Sequence, residues 1–215
     1  MQRLNFFRKT VNSKGFSLFE VLVVASITIF ISVSLIYSLS SLSSVNLNRV
    51  ANILASDIRL AQQLTLASHL FKGPLDTTPR IRCGYGISNS GQGVSSYVLY
   101  AGLPTVNSAG APQNCPSNRN FDPTQPGDTP IYQITHLDQR VDFVSAPAFG
   151  DIFFEPPRPI VYIDNDSSSP VEKIIIKKKS TTLDDCDSGS ADCIYVCVYL
   201  SSRVEVTKNL NCPAI

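Results

Sequence analysis

Between Phe16 and Lys72 the chain has neither glycine nor proline, and from Val21 to Asn48 it has no charged residue. These absences leave nothing to break a helix over that stretch and no side chain that hydrocarbon would reject. Cysteine is likewise missing before Lys72, and all 14 prolines and all six cysteines follow it. The chain therefore reads as a rod followed by a turn-rich globule. Only two histidines occur, His69 and His136, far apart in sequence, and no glycine-rich phosphate loop is present. No Ser/His/Asp or Cys/His arrangement has recognisable flanking sequence, so the reading contains no enzyme.

What is present at the N-terminus is a basic leader: Arg3, Arg8, Lys9 and Lys14 stand against no acid before Glu20. A positive flank ahead of an apolar span predicts a cytoplasmic N-terminus and an exported remainder. Residues 1–15 read as a targeting segment. The span from Phe16 to Leu39 covers 24 residues, roughly 36 Å as a helix, against a hydrocarbon core of about 30 Å. A secretory signal has an apolar core of only about 7 to 15 residues and then a cleavage site, so this run exceeds it.

A single-pass anchor explains all of this except Glu20. An acid at a helix centre in lipid costs about 2.5 to 3.5 kcal/mol, less near the end, and an anchor has no use for it. A partner for the carboxylate is expected.

The string Lys14-Gly15-Phe16-Ser17-Leu18-Phe19-Glu20, running into an apolar stretch, resembles the class III signal of type IV pilins and type II secretion pseudopilins. The resemblance implies that a prepilin peptidase cuts between Gly15 and Phe16 and methylates the new N-terminus at Phe16. Glycine suits such a site because the backbone can enter it extended without a Cβ in the way. The resemblance further implies that Glu20 pairs with the terminal amine of a neighbouring subunit, two charges that lipid disfavours singly. It implies other pilin subunits and an inner-membrane assembly platform as partners. Tyr37 stands where many major pilins have a helix-kinking proline, and the span carries Ser26, Thr28, Ser32, Ser34, Ser38, Ser40 and Ser41 instead. That departure points to a minor pilin or pseudopilin.

Past the membrane, residues 40–72 are expected to continue as an amphipathic helix half. Leu47, Val50, Leu54, Ile58, Ala61 and Leu64 recur at helical spacing. The helix is expected to reach about Leu70 and to stop at Gly73-Pro74. The run Ala55 to Gln63 is similar to the helix ends of H-type pseudopilins and FimT-like minor pilins. The same letters fit a helix on which Asp57 and Arg59 are simply solvated.

Residues 73–215 read as a β-rich head, giving an α+β chain with a small antiparallel sandwich of about eight strands. Expected strands are Arg80 to Ile87, Val94 to Tyr100, Ile131 to Thr135, Val141 to Val144, Ile152 to Phe154, Ile160 to Ile163 and Glu172 to Lys178. A terminal hairpin, Cys193 to Leu200 and Arg203 to Lys208, turns at Ser201-Ser202. It is similar to the one closing H-type pseudopilin heads, with serine where the family has a turn glycine. Residues 103–130 hold six prolines and read as an irregular excursion.

An exported head favours disulfides among Cys83, Cys115, Cys186, Cys193, Cys197 and Cys212. Register places Cys193 or Cys197 near Cys212, Cys83 with Cys115 would pin the long loop, and Cys186 takes the remaining strand cysteine. The acidic turns at Asp164-Asn165-Asp166 and Asp184 to Asp192 lack the terminal glutamate of a calcium loop, so solvated turns are expected although some pseudopilin heads bind calcium. Lys173, Lys177, Lys178 and Lys179 form a basic cluster that could touch DNA phosphates, as in FimT-like proteins; lysines on a solvated strand edge are the plainer reading. The expected function is that of a structural filament subunit, against two alternatives: a plain single-pass membrane protein with an exported binding head, and a DNA-uptake receptor.

Overall fold

In a computed structural model, residues 17–67, 70–71, 80–102, 118–124, 129–145, 149–157, 159–190 and 192–213 are described. The leader, Gly15, Phe16, Cys115 and most of the proline-rich excursion lie outside them. The chain divides into two compact units, Met1–Leu42 and Ser43–Ile215.

Helix α1 runs from Leu18 to Leu66, 49 residues without an interruption, as the lack of glycine and proline requires. In the first unit its residues Leu18–Leu35 have a mean hydropathy of 2.4 and none of them is buried. In the second unit the helix is amphipathic. Leu47, Val50, Ala51, Leu54, Ala55, Ile58, Ala61 and Leu64 are buried in the core, which includes every residue of the expected stripe. Burying one such leucine or isoleucine stabilises by about 1.5–3 kcal/mol, which is why this half of the helix belongs to the head.

The helix ends at Leu66, earlier than expected. Residues Leu70–Phe71 form strand β1, paired antiparallel with β2 (Arg80–Ile81). The chain thus leaves the helix to join a ladder before it reaches Gly73-Pro74.

A five-stranded antiparallel sheet is built from β3 (Gly84–Ser88), β4 (Ser96–Gly102), β5 (Ile131–His136), β7 (Ile152–Glu155) and β8 (Ile160–Ile163), in the order β5-β4-β3-β7-β8. A four-stranded antiparallel sheet has β6 (Val141–Phe143), β9 (Val171–Lys178), β10 (Cys193–Tyr199) and β11 (Val204–Thr207), in the order β11-β10-β9-β6. One core takes Tyr85, Leu99 and Phe154 from the first sheet, Phe143, Ile176 and Val196 from the second, and the stripe of α1. The chain is thus α+β with antiparallel sheets.

Glycines in β3 serve close packing. A Cβ on Gly86 would lie 2.6 Å from the Tyr100 ring, and one on Gly84 would strike the Phe154 carbonyl. Side chains alternate along β10: Ile194, Val196 and Val198 face the core, and Cys193 and Tyr195 on the reverse face are buried with Cys186. A second, short helix, α2 (Leu183–Asp187), lies among residues read as an acidic turn; a capping box between Thr182 and Asp185 starts it.

Candidate functional site

Glu20 lies in the first turn of α1, where the amides of Glu20 and Val21 donate to the Ser17 carbonyl at 2.9 and 3.2 Å. The N-terminal end of a helix is the end that favours a carboxylate. Around it Leu18, Phe19 and Leu22 are 84%, 74% and 61% exposed, so this turn offers an unburied apolar surface with one acid in it. Three hydroxyls further along are already used: Ser26 donates to Val23 O, Thr28 to Ala25 O and Ser32 to Thr28 O, at 2.7–2.9 Å. With their donors satisfied inside the helix, these residues cost little in an apolar medium.

At its other end α1 docks through polar side chains, among them Asp57 and Arg59, for which a solvated face was one of two readings. Asp57 accepts from the Tyr97 hydroxyl at 2.6 Å and from Thr135 Oγ1 at 3.1 Å, on β4 and β5. Burial, and then the bond to Asp57, raises the Tyr97 phenol well above its ordinary range. Arg59 donates to the Val204 carbonyl at 3.1 Å and Gln62 to the Ser202 carbonyl at 2.8 Å, so both hold the β10–β11 hairpin. Thr65 accepts from the Tyr85 amide and donates to the Phe154 carbonyl. The Ala55–Gln63 run is therefore a docking segment that touches both sheets, and the solvated reading of Asp57 and Arg59 is corrected. Their partners lie 40 to 145 residues away in sequence, beyond the reach of any local pattern.

Cys197 is bonded to Cys212, with Cα atoms 5.9 Å apart, and Cys186 to Cys193, at 5.5 Å. This decides which strand cysteine meets Cys212. Cys83 is also disulfide-bonded; its expected partner Cys115 lies outside the described residues. At the hairpin turn Ser202 has φ of 66°, a left-handed conformation that glycine adopts at lower cost.

The lysine cluster sits otherwise than expected. Strand β9 lies between β10 and β6, not at an edge. Lys178 is paired with Asp192, Lys177 stands opposite Asp142 in register, and Lys173 lies 5.8 Å from the Tyr195 ring. The charge of Lys178 is thus met by Asp192, just before β10. The acidic turns are also occupied by their own structure. Asp166 accepts from the Ser168 amide and hydroxyl, which lower its pKa, and Asp185 is lowered likewise by the amide and hydroxyl of Thr182. Among the described residues no group of three or more His, Cys, Asp or Glu could hold a metal ion.

A polar cavity of about 380 Å³, which sequence reading missed, is lined by Asn120, Phe121, Gly150, Asp151 and Asp164 among others. Asp151 Oδ2 accepts from the Phe121 amide at 2.6 Å, Asp164 Oδ1 from the Asp151 amide at 3.0 Å, and nearby Glu172 Oε1 from the Gly150 amide at 3.0 Å. Burial raises the pKa of Asp151 and of Glu172. Nothing local in the sequence brings these three acids together. Comparison with protein-family models, with curated proteins and with solved structures finds no match to this chain.

Proposed function

We propose that this chain is a minor pilin or pseudopilin, a structural subunit whose work is assembly and contact rather than catalysis. In this reading a prepilin peptidase cuts between Gly15 and Phe16 and methylates Phe16. The first half of α1 holds the protein in the cytoplasmic membrane, with the N-terminus inside and the head exported. Subunits then assemble, through an inner-membrane platform, into a type IV pilus or a type II secretion pseudopilus.

The observation that carries the reading is α1 itself. An unburied apolar segment bearing a single acid, Glu20, continues as one helix into the core of a β-rich head. A plain anchor accounts for the apolar segment and has no use for the acid. Disulfides in the head fit export. The core shared by the two sheets and α1 supports a small sandwich as the form of the head.

N-terminal mass spectrometry of the protein from cells with and without prepilin peptidase tests the reading. A chain beginning at methylated Phe16 only when the peptidase is present is the expected result; an intact leader in both strains overturns it. Glu20→Gln should be cut and inserted normally yet lost from sheared filaments. Normal incorporation of that variant would remove the role given to the carboxylate.

A further inference from the structure

We propose that Asp151, Asp164 and Glu172 form a pH-responsive clamp, which fastens the segment around Gly150 more firmly to the head as the surroundings turn mildly acidic. This device is independent of the filament reading.

The clamp is built from three carboxylates on separate parts of the chain. Asp151 directly precedes β7, Asp164 directly follows β8, and Glu172 lies in β9 of the other sheet. Each accepts one backbone amide, from Phe121, Asp151 and Gly150 respectively, and the Asp164 amide returns a bond to the Asp151 carbonyl at 2.9 Å. Gly150 permits this closeness: a Cβ there would meet the Asp164 carboxylate, which would have to move away. The three acids thus tie a single short segment to both sheets.

Their surroundings contain little to offset three negative charges. Asp151, which is 7% exposed, faces the Ser88 hydroxyl of β3, the Phe121 amide and Asp164. Glu172 faces the Gly150 amide and Asp164. From β4 the neighbouring titratable group is the buried Tyr100 phenol, which donates to the Arg119 carbonyl. The Arg119 guanidinium, next to Asn165, is engaged by Glu155 and by the Tyr162 ring. Among the described residues no ion pair takes up any of the three carboxylates.

Asp151 and Glu172, desolvated and each facing the charge of Asp164, hold protons more tightly in the folded state than in the unfolded chain. Where the folded chain binds more protons, stability rises as pH falls. The gain develops as pH drops through the raised values of Asp151 and Glu172 and is complete below the ordinary carboxylate range.

The test is urea unfolding of the full-length chain in detergent at about pH 7.5 and about pH 5, for the wild type, Asp151→Asn and Glu172→Gln. Each amide keeps an acceptor for the backbone bond and removes the charge. Both variants are expected to have a higher midpoint than the wild type at the neutral pH, and the gap is expected to close on acidification. Hydrogen exchange of the Phe121, Gly150 and Asp151 amides, corrected for intrinsic rates, should slow in the acidic wild type. A gap that stays constant with pH, or variants less stable than the wild type at neutral pH, overturns the clamp. Should Asp151→Asn not fold, Glu172→Gln decides by the same two readings.

Discussion

Asp57 holds α1 to β4 and β5 through two hydroxyls, so truncating it leaves the Tyr97 hydroxyl, on a residue only 1% exposed, without its acceptor. Asp57→Ala is expected to destabilise the head by about 1–3 kcal/mol, read from the urea midpoint. Adding Tyr97→Phe should recover part of the loss, because the orphaned group is then gone; additive losses would show that the two residues do not act as a pair. The sequence placed Asp57 on the helix and left open whether it was solvated, since charge on a helix face is equally compatible with water and with a docked partner. Ser202 shows the opposite case. Its place in the terminal hairpin was legible from the turn, and its φ of 66° is the left-handed conformation a tight turn uses.

Among the elements, β10 and β11 were legible because alternation is local, and their pairing follows from a short turn. Which cysteine of β10 meets Cys212 was open, since Cys193 and Cys197 point to the same face and only the register of the C-terminal segment separates them. The Cys197–Cys212 bridge spans 15 residues and Cys186–Cys193 spans 7. Replacing both cysteines of the longer bridge by serine should cost about 3 kcal/mol and replacing both of the shorter one less, by loop-closure entropy. Thermal melting of the two double variants gives the order, and a larger drop for the shorter bridge would contradict it. Helix α2 escaped notice because five residues are too few to show a period, although Thr182 and Asp185 carry the capping-box spacing. The lysines of β9 were taken for an edge because strand order is not a local property.

At the scale of the molecule, two opposing sets of carboxylates among the described residues contribute to the acid response. Asp166 and Asp185, held below the ordinary range by hydrogen bonds, contribute stability that is complete above that range and is lost as pH falls through their lowered values. Asp151 and Glu172 act in the other sense at higher pH. Unfolding midpoints of the head over a pH series are therefore expected to rise as pH falls through the raised values of Asp151 and Glu172 and to fall again through the lowered values of Asp166 and Asp185; a steady decline from neutral pH downward would refute it. The amino-acid sequence by itself determined the unbroken helix, the apolar segment with its single acid, the buried stripe from Leu47 to Leu64 and the alternation of the strands. These depend on neighbours within a few residues, and the absence of glycine, proline and charge is enough to decide them. Only the tertiary structure decided the strand order, the partner of Cys212, the docking of Asp57 and Arg59, and the meeting of Asp151, Asp164 and Glu172. Each of these joins groups distant along the chain, and such contacts are chosen by how one shared core closes around α1 rather than by any pattern the separate segments carry.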